Sequence, residues 1–279
     1  MYNLFDADTC WAKIREIHPD TSVSSTRLQV LSRCYTNLYS CKFTHNQCLG
    51  DDGASLKEEM QQLALVMETK IKQLPLGEEC FRLLSSLYSL VYIASLPVDC
   101  DALAEQLFAG YLASEDREGD HSAETAFCLC LTDYYYLNQP DEADAAWYNY
   151  LYDTAERWIG ELDGQGEWGT LDDEAALRRL EVLIRISYML LDDSYDDDIR
   201  RIFRRYADKL IQKETASIAE LGILYESAIH FELYTNQDDW TEKLMERITA
   251  IGNRYPADSE AYLECLSYYS MFVCEKSFC

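Results

Sequence analysis

Asp192, Asp193 and Asp196 are the residues whose type and spacing most invite chemistry. Three carboxylates on adjacent helical turns can hold Mg²⁺ ions that bridge a diphosphate. A plainer role is open to them. Asp196, Asp197 and Asp198 precede Arg200, Arg201, Arg204 and Arg205, which puts acids at the positive start of a helix and bases further along. Cys41, His45 and Cys48, with Cys34 one heptad earlier, are spaced to offer soft ligands for zinc from one helix face. No second tight Cys/His pair accompanies them, so buried thiols beside an ordinary histidine account for the cluster. His18, His45, His121 and His230 lie in no nucleophile motif, and no glycine-rich phosphate loop follows a strand. Asp133 with Glu124 has the chemistry of a glycosidase acid pair, but among 50 acidic residues such pairs discriminate nothing. The expectation is a non-enzyme, with no catalytic residue, no metal and no cofactor.

The elements that carry these residues are helices. From Ala176 to Leu190, Leu177, Leu180, Leu183, Ile184 and Ile186 to Tyr188 form one wide apolar stripe, with Arg178, Arg179, Glu181 and Arg185 mostly on the other side. Similar stripes run through 28–38, 63–71, 81–94, 103–112, 126–137, 146–159, 199–210, 218–233, 244–251 and 262–272. With a short opening helix near Asp8 to Ile17, the count is about twelve. Their punctuation recurs: a tyrosine-containing turn, then an acidic cap. The closest echo is Tyr136-x-Asn138-Gln139-x-Asp141 against Tyr234-x-Asn236-Gln237-x-Asp239. Turns near 97, 139, 194 and 237 are 42 to 55 residues apart, the period of stacked helix pairs. The expected fold is all-α, one domain over residues 1–279 of stacked antiparallel helix hairpins in an α-solenoid. The alternative is a closed α/α toroid, because twelve helices complete a ring of six pairs.

Leu221-Gly222-x-x-Tyr225 resembles the first-helix signature of tetratricopeptide repeats, and Arg254-Tyr255-Pro256-Ala257-Asp258-Ser259-Glu260-Ala261-Tyr262 is similar to the connection between such repeats. The likeness covers about one repeat near the C-terminus; the helices here are longer and the period exceeds that family's roughly 34 residues. It implies protein or peptide binding on a curved surface, without catalysis. The D-D-x-x-D run of Asp192, Asp193 and Asp196 resembles the magnesium motif of isoprenyl diphosphate and terpene synthases, which are also all-helical. A partial second motif at Asp238, Asp239 and Glu246 has Glu242 where Ser or Thr belongs, and it lies too close to the first. From this comes the alternative function, a helical-toroid or synthase-like enzyme acting on a carbohydrate or diphosphate.

Composition narrows the partners. The chain has 279 residues, 48% of them apolar, and a formal charge of −26. That size supports an ample core without metal or disulfides, and that charge argues against direct contact with nucleic acid or anionic lipid. Eleven cysteines, several in apolar runs such as Cys80, Cys100, Cys128 and Cys130, read as buried free thiols in a reducing compartment. The opening MYNLFDADTCWAKIREI lacks the apolar stretch of a signal peptide, and no run is long enough to span a membrane. A cytoplasmic protein is expected.

The charge is also concentrated. Asp99 to Ala175 holds twenty acidic residues against Arg117 and Arg157, whereas Met1 to Val98 has eleven acids and nine bases. Tyr134, Tyr135, Tyr136, Trp147, Tyr148, Tyr150, Tyr152 and Trp158 fall inside this block. Three consecutive tyrosines fan across about 200° of a helix, so they cannot all face one core. The segment Asp163 to Gly169, with Trp168 near its end, is the longest glycine-rich break. The expected site is a face for a basic partner protein built from Tyr134, Tyr135, Asp141, Glu142, Asp144, Trp147, Tyr148, Tyr152 and Trp168. Its role would be a binding scaffold of the immunity type, neutralising a basic toxin, or a nucleic-acid mimic. The basic run Arg200 to Arg205 can pair with the acidic block internally or on a second copy, which admits a homo-oligomer.

Overall fold

The 3.6-residue stripes become eleven helices among the described residues, with no strand between them: α1 Ser25–His45, α2 Gly53–Ile71, α3 Glu78–Ala94, α4 Cys100–Ala113, α5 His121–Asn138, α6 Ala145–Asp163, α7 Asp173–Met189, α8 Asp196–Gln212, α9 Ile218–Thr235, α10 Trp240–Gly252 and α11 Glu260–Lys276. The computed structural model describes residues 14, 16, 22–45, 53–114, 119–138, 145–163, 173–190, 193–235, 240–256 and 259–276. Of these, it gives the backbone alone at 41–45, 53–54, 145, 162–163, 173, 188–189, 230–235 and 273–276. The expected opening helix lies mostly outside this set; Ile14, within it, is helical and buried.

Local chemistry sets the helix starts. Asp99 accepts a hydrogen bond from the Ala102 amide at the head of α4, and Asp120 accepts one from the Ala123 amide at the head of α5. Ser217 and Glu220 form a reciprocal capping box at α9: the Glu220 amide donates to the serine hydroxyl, and the Ser217 amide donates to the glutamate carboxylate. In α8 the buried residues Ile199, Ile202, Phe203, Tyr206, Ala207 and Leu210 fall at helical spacing. Arg200 and Arg201 pair there with Asp196, Asp197 and Asp198 of the same helix. This is the plainer reading of that motif.

Helix-to-helix contacts build two layers. α1, α3, α5, α7, α9 and α11 each pack against the next, and α11 returns to pack against α1. α2, α4, α6, α8 and α10 lie outside and cover the seams. The stacked hairpins are therefore present, and their row closes on itself as a ring, the toroidal form of the two that the helix count admitted. Short connections make neighbours antiparallel, so the six inner helices run parallel. α5 shows what an inner position demands: from Ala123 to Tyr135 every residue except Glu124 is buried, as for a helix surrounded by protein. No described helix is long and apolar enough to cross a membrane.

Two glycines let helices approach closely at the closing side. A Cβ at Gly222 on α9 would land on the Tyr268 ring of α11, and one at Gly252 on α10 would strike Cys265. Cys34, Cys80, Cys100, Cys128, Cys130 and Cys265 are buried, and the last five are free thiols. Burial pushes the Cys80 thiol up to about 11 and the Cys100 and Cys265 thiols to about 12. α5 and α7 are joined through charge: Arg185 Nη1 lies 2.5 Å from Asp133 Oδ1, and Ser85 of α3 donates to the same carboxylate. Burial pushes Asp133 above the usual carboxylate range, with Arg185 opposing it.

Three outcomes follow from this packing. Gly222→Ala forces overlap with Tyr268 and should cost about 1–3 kcal/mol in urea unfolding, while a substitution at an exposed position such as Glu156→Ala should cost almost nothing. Alkylation at pH 8 followed by peptide mass spectrometry should find those five free thiols protected in native protein and modified after denaturation. Arg185→Met strands a buried carboxylate and should cost about 3–5 kcal/mol at neutral pH. Without the guanidinium the folded-state pKa of Asp133 rises further above its unfolded value, so the native state holds its proton more tightly. The deficit should then shrink as pH falls toward about 4, where both states are protonated.

Candidate functional site

The described helices of the acidic block, α4 to α6, form one sector of the ring together with the inner helix α3. Phenylalanines form its base. Phe81, Phe108 and Phe127, from α3, α4 and α5, meet with ring centroids 5.2–6.5 Å apart. Tyr134 continues the cluster from Phe108 (5.6 Å) to Trp147 (5.7 Å), and Trp147 also contacts Phe108 edge-on at 5.4 Å. From there the rings climb to the surface: Tyr134 touches Tyr135, Tyr135 touches Tyr148, and Tyr148 lies 4.5 Å from Tyr152. Edge-to-face pairs of this kind contribute roughly 0.5–1.5 kcal/mol each beyond area burial.

This geometry corrects part of the expected face. Tyr134 and Tyr135 are buried, 3% and 7% exposed, because they fill the space between an inner helix and its outer neighbours. Trp147 and Tyr152 are half-buried, and Tyr148 is 41% exposed. Asp141, Glu142, Asp144 and Trp168 lie outside the described residues. The fan of three tyrosines resolves as its angle requires, with Tyr136 directed outward at 38% exposure. There it meets Tyr92 at the end of α3, 55% exposed, with the rings 6.1 Å apart. Tyr92 and Tyr136 were not among the expected site residues. The recurring tyrosine at helix ends was the signal that could have found them.

Carboxylates surround these rings. Tyr134 donates to Glu105, and Tyr88 and Asn138 both donate to Asp101. Glu124 accepts from Tyr150 and from Arg157 at 2.6 Å. Burial, with Glu124 adjoining, raises the Tyr150 phenol well above its ordinary value, so it stays a neutral donor. Asp99, Glu105, Asp153 and Glu156 are exposed. A shallow cleft beside α5 and α6 is lined by Asp120, His121, Glu124, Tyr150, Asp153 and Arg157.

The alternative chemistries fare differently. Asp133 and Glu124 have separate partners: the first pairs with Arg185 and the second with Arg157. Asp192, Asp238, Asp239 and the Cys41, His45 and Cys48 side chains lie outside the described residues. Among the described residues no three His, Cys, Asp or Glu side chains gather as a metal site. No protein-family model, no curated protein and no solved structure matches the chain.

Proposed function

We propose that the protein is a non-enzymatic binding protein whose α3–α6 sector docks a basic partner protein. The observation that carries this reading is an exposed tyrosine surface in a stretch almost without bases. Tyr92, Tyr136 and Tyr148 stand out from the sector, and between Arg82 and Arg157 the chain holds one arginine, Arg117, and no lysine. Tyrosines supply large contact area at low entropic cost, while surrounding carboxylates steer a basic surface into encounter. The buried phenylalanine base holds the rings in place before binding, which limits the ordering cost of association. A partner of this kind would be a basic toxin held inactive, or a nucleic-acid-binding protein whose cleft the acidic surface fills.

The test is affinity capture with wild-type protein and with a Tyr92→Ala/Tyr136→Ala/Tyr148→Ala variant, followed by titration of any shared partner against salt. A net-basic partner should bind wild type, weaken steeply between 50 and 500 mM NaCl, and lose at least about tenfold in affinity to the variant. Equal capture by the variant, or a salt-insensitive or acidic partner, overturns the proposal.

A further inference from the structure

The centre of the ring holds a second feature, separate from the tyrosine sector. A cavity of about 610 Å³ lies among the inner helices, and residues from all six contribute to its wall. The residues come mainly from the first two-thirds of each helix, whereas Tyr92 and Tyr136 sit at the far ends of α3 and α5. Since the inner helices run parallel, cavity and tyrosines face opposite ends of the ring.

The wall is charged yet nearly self-compensating, with six glutamates and four arginines. Arg33 of α1 pairs with Glu226 of α9 at 3.2 Å, and its guanidinium lies 4.3 Å from the centre of the Tyr268 ring. Arg82 pairs with Glu78, and Arg178 pairs with both Glu174 and Glu181. Burial raises Glu226 and Glu264 above the usual carboxylate range. Burial opposes the charge of Glu181 too, but Arg178, Arg185, Arg82 and Arg33 outweigh it and hold that carboxyl low. The helix N-termini add partial positive charge on the same side.

Within this wall, three buried side-chain atoms have no hydrogen-bond partner among the described residues: Thr36 Oγ1, Arg178 Nε and Glu181 Oε2. Leaving such atoms unsatisfied in a buried wall is unfavourable, so they invite a ligand. They are a hydroxyl, an N–H donor and a carboxylate acceptor. Glu181 Oε2 is only 3.5 Å from Arg178 Nη1, so donor and acceptor stand side by side. A group that both accepts and donates meets this pair, and a hydroxyl does so without charge. A phosphate or carboxylate would satisfy Arg178 but confront more glutamates than arginines. An ammonium would satisfy Glu181 but confront four guanidiniums. The serines agree with a hydroxyl. Ser86, Ser89 and Ser227 donate to carbonyls of their own helices, which leaves their oxygens as acceptors. The volume falls in the range of small-molecule sites, roughly 300–1,000 Å³.

We infer that the central cavity is a binding site for a neutral, hydroxyl-rich small molecule, a polyol or a sugar, held between Thr36, Arg178 and Glu181. Recognition is by hydrogen bonds, because Arg33 already occupies a face of Tyr268. The inference stands apart from the protein-docking reading, and neither needs the other.

The experiment is saturation-transfer NMR and calorimetry on the full chain. Sorbitol, myo-inositol, glucose and maltose are the probes, with inorganic phosphate and putrescine as charged comparators. At least one polyol or sugar should show saturable binding, and Thr36→Val should weaken it about five- to tenfold, the size of one hydrogen bond. Glu181→Gln should weaken it comparably, with circular dichroism confirming both folds. Thermal shifts alone do not serve, since polyols raise melting temperatures by exclusion from protein surfaces. Binding of phosphate or putrescine in place of the hydroxylated probes overturns the ligand class. No binding by any probe means that water alone satisfies the cavity, and polyol binding unchanged in both variants puts the site elsewhere. Each of these results defeats the inference while leaving the tyrosine-sector proposal to its own test.

Discussion

Closing a ring of parallel helices imposes one constraint that the rest of the structure obeys: six inner faces look at one another across a centre too wide for side chains to fill with hydrocarbon. Polar groups placed there must satisfy each other. The links pass from helix to helix. Ser32 of α1 donates to the Ser86 carbonyl of α3, Ser85 of α3 donates to Asp133 of α5, and Asp133 pairs with Arg185 of α7. Across the closing seam Arg33 reaches Glu226 on α9 and Ser267 on α11, while Asn37 donates to Ser267 and Ser270. Such groups lower stability when one partner is removed and add little when both are present. Their effect is to define which inner faces meet. Between α9 and α11 the helices meet by close approach, and Gly222 under Tyr268 fixes that contact.

The outer layer answers a different demand. Each outer helix needs only one apolar face, so its other face is free to carry charge. On α8 that face is basic but matched by acids of its own first turn. On the α4–α6 side it is acidic, with almost no base in the sequence to match it. A chain of aromatic rings runs through the same sector beside its aliphatic core. Large rings let helices stand apart and leave polar tips at the surface, so the interior chemistry of this sector also produces its exposed tyrosines.

The helices were legible from the sequence because a buried stripe at 3.6-residue spacing has few alternatives, and Asp196, Asp197 and Asp198 marked where one of them begins. What the polar stripes faced was not legible. Arg178, Glu181 and Arg185 lie opposite the apolar residues of α7, a pattern that ordinarily means solvent, yet here it means the ring's centre. Only closure of α11 on α1 distinguishes the two, and closure depends on contacts more than 200 residues apart, such as Asn37 with Ser267. Tyr134 and Tyr135 were misjudged for a related reason. Counting angles around a helix shows that three tyrosines cannot share one core, but an inner helix has two buried sides, one toward its ring neighbours and one toward the outer layer.

This division also explains why so acidic a chain can hold four arginines at its centre. Compensation inside the cavity means that its charges contribute little to the net −26, so the field felt at a distance arises from the outer faces. Added salt screens that outer field within about 8–10 Å at physiological strength but reaches the buried pairs only weakly. The ring can therefore lose its long-range attraction for a charged partner while keeping its fold and its cavity. Salt thus acts on the outside of the molecule and spares its centre, a separation that follows from placing matched charges inside and unmatched charges outside.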